Sequence, residues 1–271
     1  MIEEQAKYRG LVDRASAADV AERAFGGATA LLAVSQEIAT YLNRYPAARG
    51  RVHVVPNGVN PCRFRQGLPP SLPGPPQSCT VGFVGTLKPW HGLSVLMEAF
   101  ALFHQHRKNT RLLIVGEGPE RAHLEADLVD RGLQDAVHLV GAIAPAKVPG
   151  LLASMDVAVA PYPALDPFYF SPLKVYEYMA AGLPVLASRV GQLEMLILHE
   201  VNGILCPPGN ATALAAALER LQGDPGLCIR LGREARATVF RDHTWDGVVR
   251  RIIHLAGLDR ISAPKYLGVG K

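Results

Sequence analysis

Ser171, Pro172, Leu173 and Lys174 stand at the mouth of a short apolar stretch, and Glu177 follows three residues after the lysine. Read as a helix start, Ser171 is a candidate N-cap and Pro172 suits the first helical position. The amide N–H groups of Leu173 and Lys174 then have no acceptor within the helix. Together with the helix dipole they make an anion site, to which Lys174 adds a positive charge. Glu177 lies one turn along, where its carboxylate could accept hydrogen bonds from sugar hydroxyls. The same spacing also fits a plain Ser171 cap with a Lys174–Glu177 ion pair. Local spacing does not separate the two.

A second stretch, VGFVGTLKPWHGL, ends a strand at Gly85, where the absence of a side chain lets a ligand approach the backbone. Lys88 follows in the loop and could neutralise a diphosphate, or could simply be solvated there. Gly92 opens the next helix. A third stretch, Gly116-Glu117-Gly118 with Arg121 three residues on, is an incomplete dinucleotide fingerprint. Its third glycine is missing and no acidic residue ends the following strand, which argues against a nicotinamide enzyme. No Walker loop and no Gly-x-Ser-x-Gly elbow occurs. His104 and His106 lie two apart and share no helix face, so they suit a helix C-terminus better than a metal.

The elements that must position these groups are short apolar strands alternating with helices. Strands are expected at CTVGFVG, RLLIVG, AVHLVG, DVAVAPY, PVLAS and GILCP. Helices are expected at GLSVLMEAFALFHQH, PERAHLEADLVDRG, PAKVPGLLASM, PLKVYEYMAAG and NATALAAALERLQ, with a short turn or helix near Leu193–Leu196. Such βαβ units force a mostly parallel sheet covered on both faces. The fold class is therefore α/β, a doubly wound, Rossmann-like parallel sheet, running from about Gln77 to Gly223. In such sheets ligands lie at the carboxyl ends of the strands.

Before this region a helix is expected from about Glu3 to Phe25, a strand in ATALLAVS, a helix in QEIATYLNRY and a strand in RVHVVPNGV. Two strands and two helices are a thin basis for a core and read as the tail of a second α/β domain. The proline-rich stretch RQGLPPSLPGPPQS reads as a linker or exposed loop. The boundaries follow as 1–56 for the first remnant, 57–78 for the linker, 79–240 for the Rossmann-like domain and 241–271 for a last helix and tail.

The 271 residues are 49% hydrophobic, which suits one large or two small globular domains. A formal net charge of +4 favours anionic ligands. It is too weak and scattered to indicate nucleic acid. Cys62, Cys79, Cys206 and Cys228 form no Cys-x-x-Cys pair, and free thiols in a reducing cytoplasm are expected. The sequence shows neither a signal peptide nor an apolar run of about 20 residues able to span a bilayer. Association with a membrane surface stays open.

In their order and spacing, ALLAVSQEI, VHVVPNGVNPCRF, VGFVGTLKPWHGLSVLMEAF, LLIVGEGPE, VHLVGAI, MDVAVAPY, SPLKVYEYMAAGLPVLAS and NGILCPPGN resemble the retaining GT-B glycosyltransferases of family 4. The resemblance runs from about Ala28 to Leu258 and implies two Rossmann-like domains facing a cleft. The C-terminal one holds a nucleotide-diphosphate sugar; the N-terminal one holds a glycan, lipid or small-molecule acceptor. It implies that Glu177 binds the donor ribose and that Ser171, the amides of Leu173 and Lys174, and Lys88 serve the diphosphate. Gly85 would allow close approach of the phosphates, and the backbone from Gly141 to Ile143 would meet the base. Glu194 resembles a glutamate that follows the Gly-x-Pro-Val strand. Neither metal nor cofactor is implied.

Two departures stand out. Tyr169 occupies a position where the family often has a glutamate, with Asp166 nearby but out of register. Thr86 and His91 occupy the usual places of an arginine and a lysine, for which Lys88 would compensate. No catalytic residue is assigned, and most of the N-terminal domain is expected to be missing or supplied by a separate subunit. Two other classes compatible with these motifs are a nucleotide-sugar or partner-binding module without catalysis, and a GT-B nucleotide-sugar epimerase.

Overall fold

The computed structural model describes residues 13–165 and 167–258. The chain forms two compact units, one of Gly58–Thr244 and the other of Met1–Asn57 with Trp245–Lys271. Asp166 and the first part of the helix expected from Glu3 lie outside the described residues.

In the smaller unit, helix α1 (Arg14–Gly27) starts where the Asp13 carboxylate accepts the Ser16 amide. Strand β1 (Leu31–Ala33) leads to α2 (Gln36–Leu42), where the Ser35 hydroxyl accepts the Ile38 amide as an N-cap. Strand β2 (Val52–Val54) pairs with β1 in parallel, Leu31 opposite Val52 and Ala33 opposite Val54. The Arg51 guanidinium fastens the pair to its surroundings by donating to the carbonyls of Gly26, Ala28 and Ala47. Strands β1 and β2 are each shorter than their sequence patterns suggest, because their ladder ends after three residues.

The larger unit contains strands β3 (Cys79–Val84), β4 (Thr110–Val115), β5 (Val137–Gly141), β6 (Val157–Ala160), β7 (Val185–Ser188) and β8 (Ile204–Cys206). Between and after them run α3 (Leu93–His106), α4 (Arg121–Asp130), α5 (Val148–Leu152), α6 (Leu173–Ala181), α7 (Gln192–Leu196), α8 (Ala211–Gly223) and α9 (Pro225–Asp242). The sheet order is β5-β4-β3-β6-β7-β8, and every pair is parallel. This is the doubly wound, Rossmann-like arrangement.

Alternation along the strands builds the two faces. Leu113 and Val115 of β4, Ala158 and Ala160 of β6, and Val185 and Ala187 of β7 belong to one core, with Leu152, Val175, Tyr178 and Met179. Leu112 and Ile114, Val157 and Val159, and Leu186 belong to the other, with Leu96, Phe100, Leu124 and Leu218. Both faces are thus apolar, which is why these strands read as continuous hydrophobic runs. Helix α9 contributes Leu227 and Leu231 to the second core and Ala235 and Val239 to the first.

The proline-rich stretch read as a linker or exposed loop is anchored to this unit. Ser71 N–H donates to the Gly150 carbonyl at 2.9 Å and Leu72 N–H to the Ser154 hydroxyl at 3.0 Å. The buried Arg111 side chain donates to the carbonyls of Leu72 (2.8 Å) and Pro73 (3.3 Å) and to the Thr80 hydroxyl (3.3 Å). These bonds satisfy a buried guanidinium and hold the loop. The expected Pro145–Met155 helix is divided into a 3-10 turn, Pro145–Lys147, and α5, with Pro149 in the first turn of α5. After Thr244 the chain rejoins the smaller unit through α10 (Trp245–Leu255). Among the described residues no helix is long and apolar enough to cross a membrane.

The strand order changes direction between β3 and β6. The chain leaves β3 through α3 on one face toward β4, and leaves β6 through α6 on the other face toward β7. The two connections diverge and open a crevice above the carboxyl ends of β3 and β6. Gly92 closes the loop between β3 and α3 with φ +68°, and a Cβ there would lie 1.6 Å from the Pro161 carbonyl oxygen just past β6. Glycine is thus required both by the backbone angle and by the approach of the two loops. Gly92→Ala is expected to destabilise the fold by at least about 1–3 kcal/mol, read as a lower urea midpoint at unchanged slope.

Candidate functional site

Helix α6 begins one residue later than its sequence suggests. Pro172 is the N-cap, with φ −73° and ψ 101°, and no side chain caps the helix. Ser171, expected as the cap, instead points its hydroxyl toward the Tyr176 hydroxyl, 3.5 Å away. Pro172 is itself extended, so the helical dihedrals begin at Leu173. The first backbone bond into the helix runs from Val175 N–H to the Pro172 carbonyl, 3.0 Å. Among the described residues the amides of Leu173 and Lys174 have no acceptor. The pair of free donors expected from the sequence is therefore present even though the cap is not.

Lys174 and Glu177 do not pair with each other. The Lys174 ammonium crosses to the end of β3, and a Cβ placed on Gly85 would lie 2.7 Å from its Nζ. Nζ stands 4.2 Å from the Phe83 ring centre and 5.4 Å from that of Tyr162. Aromatic faces of this kind attract a cation. No carboxylate pairs with Lys174 among the described residues. Burial lowers its pKa from 10.5 to about 7. Gly85 has φ +152° and its N–H donates to the Val115 carbonyl at 2.9 Å, so the backbone is held open beneath the ammonium.

The loop after β3 brings Lys88 and His91 to the same place. Lys88 lies 5.7 Å from the Trp90 ring centre. His91 sits against Phe83 and Tyr162 and donates from Nδ1 to the Thr86 carbonyl. Burial first, then the charges of Lys174 and Lys88, push the His91 pKa down to about 4. His91 is accordingly neutral at neutral pH and supplies no positive charge from the lysine position it occupies. Thr86 contributes a carbonyl rather than a charge, accepting from His91 and from Lys88 N–H at 3.0 Å. The two ammonium groups carry the positive charge of this crevice.

Glu177 accepts a hydrogen bond from Arg63: Nη1 to Oε1, 2.9 Å. The same guanidinium donates from Nη2 to the Pro145 carbonyl, 2.7 Å. Burial raises the Glu177 pKa, while Arg63 acts to lower it. Sequence reasoning missed Arg63. It lies in a 3-10 turn, Pro61–Arg63, 114 positions from its partner, and no spacing rule connects the two.

The remaining candidates are more dispersed. Gly141 ends β5 with φ +78° and its carbonyl accepts from Gly116 N–H at 2.9 Å. Half-buried Ile143 packs on the first core. Tyr169 stacks on Phe170 with ring centres 4.4 Å apart, continuing an aromatic row through Phe168 to Tyr162. Glu194 is exposed in the first turn of α7. Among the described residues no cluster of three His, Cys, Asp or Glu is placed to hold a metal ion. His104 is bonded to the Thr110 hydroxyl and His106 to Glu219.

Tyr178 fixes the start of α6 over β3. Fully buried, its hydroxyl accepts from Val84 N–H at 2.7 Å and donates to the Val84 carbonyl at 3.2 Å. One phenol thereby satisfies both Val84 backbone groups beyond Gly82, where the pairing of β3 with β6 ends.

The pattern of the glycosyl transferases group 1 matches residues 78–224, the stretch that forms the six-stranded sheet. The chain belongs to this family. Residues 6–63 match a second pattern, glycosyltransferase family 4. An uncharacterized glycosyltransferase of Methanocaldococcus jannaschii is 30% identical over 76% of this chain and 53% of its own length. The D-inositol 3-phosphate glycosyltransferase of Acidothermus cellulolyticus is 34% identical over 77% of this chain and 48% of its own. This group 1 chain thus spans about half the length of the curated relatives it matches. Among solved structures, HepE of Anabaena in complex with UDP and glucose superposes with TM-score 0.72 at 23% identity, covering 85% of this chain and 63% of that one. Sucrose-phosphate synthase of Thermosynechococcus elongatus gives 0.73 at 26%, covering 94% and 64%. The fold is therefore that of GT-B glycosyltransferases.

Tyr178→Phe removes a buried hydroxyl and strands two backbone groups. The expected cost is about 1–3 kcal/mol, measured by urea unfolding. Hydrogen exchange should report it most strongly at the Val84 amide.

Proposed function

We propose that this chain transfers a sugar from a UDP- or GDP-linked donor to an acceptor hydroxyl, with retention of anomeric configuration. The observation that carries the reading is the Lys174 ammonium, held over Gly85 with no carboxylate partner among the described residues, beside two amides that open α6 with no acceptor among them. A buried cation beside unsatisfied donors is costly unless an anion binds there. A diphosphate meets both needs. Lys88 adds a second charge from the β3–α3 loop, and Glu177 is the acceptor for ribose hydroxyls. The complex of HepE with UDP and glucose supports this class of ligand.

As the glycosidic bond to the donor breaks, negative charge grows on the departing diphosphate. The helix dipole and the two ammonium groups already point there, so they stabilise that charge without rearranging. No metal is needed in this account. The relatives' names include glycosyltransferases for D-inositol 3-phosphate and 2-deoxystreptamine. An acceptor that is a hydroxylated small molecule, a glycan or a lipid fits the proposal.

Calorimetry with UDP and GDP tests donor binding. Lys174→Met and Glu177→Ala are each expected to weaken affinity about tenfold or more, as for a charge-assisted hydrogen bond, and Lys88→Ala less. Unchanged affinity in all three would overturn the assignment. The pH dependence has a definite sign. With the Lys174 pKa at about 7 in the free protein, a bound diphosphate raises it and binding takes up a proton. Affinity should therefore fall as pH rises from about 7.5 to 9, by up to about tenfold per unit. Lys174→Met should abolish that slope. Nucleotide binding without transfer to any hydroxyl acceptor would instead favour a binding module.

A further inference from the structure

Arg63 is drawn to the site from a part of the sequence that supplies none of the other candidate groups. It follows β2 in the chain, yet its guanidinium lies between α6 and the turn after β5. Its two terminal nitrogens do different things. Nη1 holds Glu177 Oε1 at 2.9 Å, and Nη2 holds the Pro145 carbonyl at 2.7 Å. The side chain is about one-third exposed and that of Glu177 about one-fifth. Phe64 lies under the guanidinium, 5.2 Å from its carbon, and is itself buried. The fork is therefore fixed at its base as well as at its two tips.

Glu177 Oε2 carries no hydrogen bond among the described residues. One carboxylate oxygen is clamped and the other is left over. We propose that Arg63 is a positioning residue for nucleotide recognition: it orients Glu177 so that Oε2 meets the ribose diol, and ties that carboxylate to the Pro145 turn beyond β5. This rests on the nucleotide-sugar reading above. The planar guanidinium suits the task because its fork spans two acceptors at a fixed angle. A lysine would hold one of them at a time. Desolvation raises the pKa of the buried carboxyl, and the same Arg63 contact acts against that shift in favour of the ionised form.

The test is calorimetry on the full chain with three probes: UDP, 2′,3′-dideoxy-UDP and inorganic pyrophosphate. Arg63→Met is expected to weaken UDP about tenfold while leaving dideoxy-UDP and pyrophosphate unchanged, because only UDP presents the diol. Glu177→Gln should weaken UDP in the same selective way, and adding Arg63→Met to it should cost nothing more. Arg63→Lys should recover part of the loss. If Arg63→Met does not fold by circular dichroism, Arg63→Lys decides, with an expected loss of about threefold confined to UDP. Equal weakening of all three probes would reduce Arg63 to a structural brace and overturn the proposal. So would wild-type UDP affinity in Arg63→Met. Wild-type protein that binds none of the probes would sink the donor reading itself, and a wild type that binds UDP over dideoxy-UDP keeps the two failures apart.

Discussion

The Lys174 ammonium at the end of β3 meets two aromatic rings and a glycine backbone and, among the described residues, no carboxylate. Nearly everything around the crevice can be understood as what is required to keep it there. Gly85 must lack a side chain, since a Cβ would lie 2.7 Å from Nζ. Phe83 and Tyr162 must present their faces, and the start of α6 must lie over β3. Tyr178 enforces the last condition by binding both backbone groups of Val84. The lysine, the free amides and the strand end are therefore not three independent features. They move together with one helix.

The sheet explains why that helix can carry the site. The order reverses between β3 and β6, so α3 and α6 leave on opposite faces and their loops part above the strand ends. Only there is the carboxyl edge of the sheet uncovered by a direct crossover. Gly92, touching Pro161, sets how closely the two loops approach. On either side of the sheet, close-packed cores of alternating strand residues leave little freedom for the strands to shift. The charge is delivered by flexible lysine stems onto a rigid edge.

Charge in the crevice is distributed unlike a simple count of basic residues suggests. His91 stands among aromatic rings and two ammonium groups and stays neutral. Its part is to donate to the Thr86 carbonyl and shape the loop. Lys174, coming from the other side of the switch point, provides charge in that neighbourhood. Glu177 in turn takes its counter-charge from Arg63, so the carboxylate and the ammonium, three residues apart on one helix, are kept for different partners. That separation is what leaves the ammonium available to an anion.

Local patterning was enough to read the doubly wound sheet. The strands β3 to β8 are short apolar runs and the helices between them keep the 3.6-residue period, because both faces of the sheet had to be covered. Gly85, Lys88, Lys174, Glu177 and the free amides of α6 were likewise legible, since helix starts and strand ends obey rules that act over a few residues. What local rules left open, the tertiary structure decided. Ser171 was expected as the cap with Pro172 inside the helix, whereas Pro172 is the N-cap and the Ser171 hydroxyl faces Tyr176. The Lys174–Glu177 pair was permitted by spacing and lost to Gly85 on one side and Arg63 on the other. The proline-rich stretch looked like a linker until Arg111, some forty positions along, claimed its carbonyls. In each case the deciding partner is distant in sequence. Periodicity and capping report only on near neighbours, whereas burial, ion pairing and the satisfaction of stranded polar groups depend on which segments packing brings together.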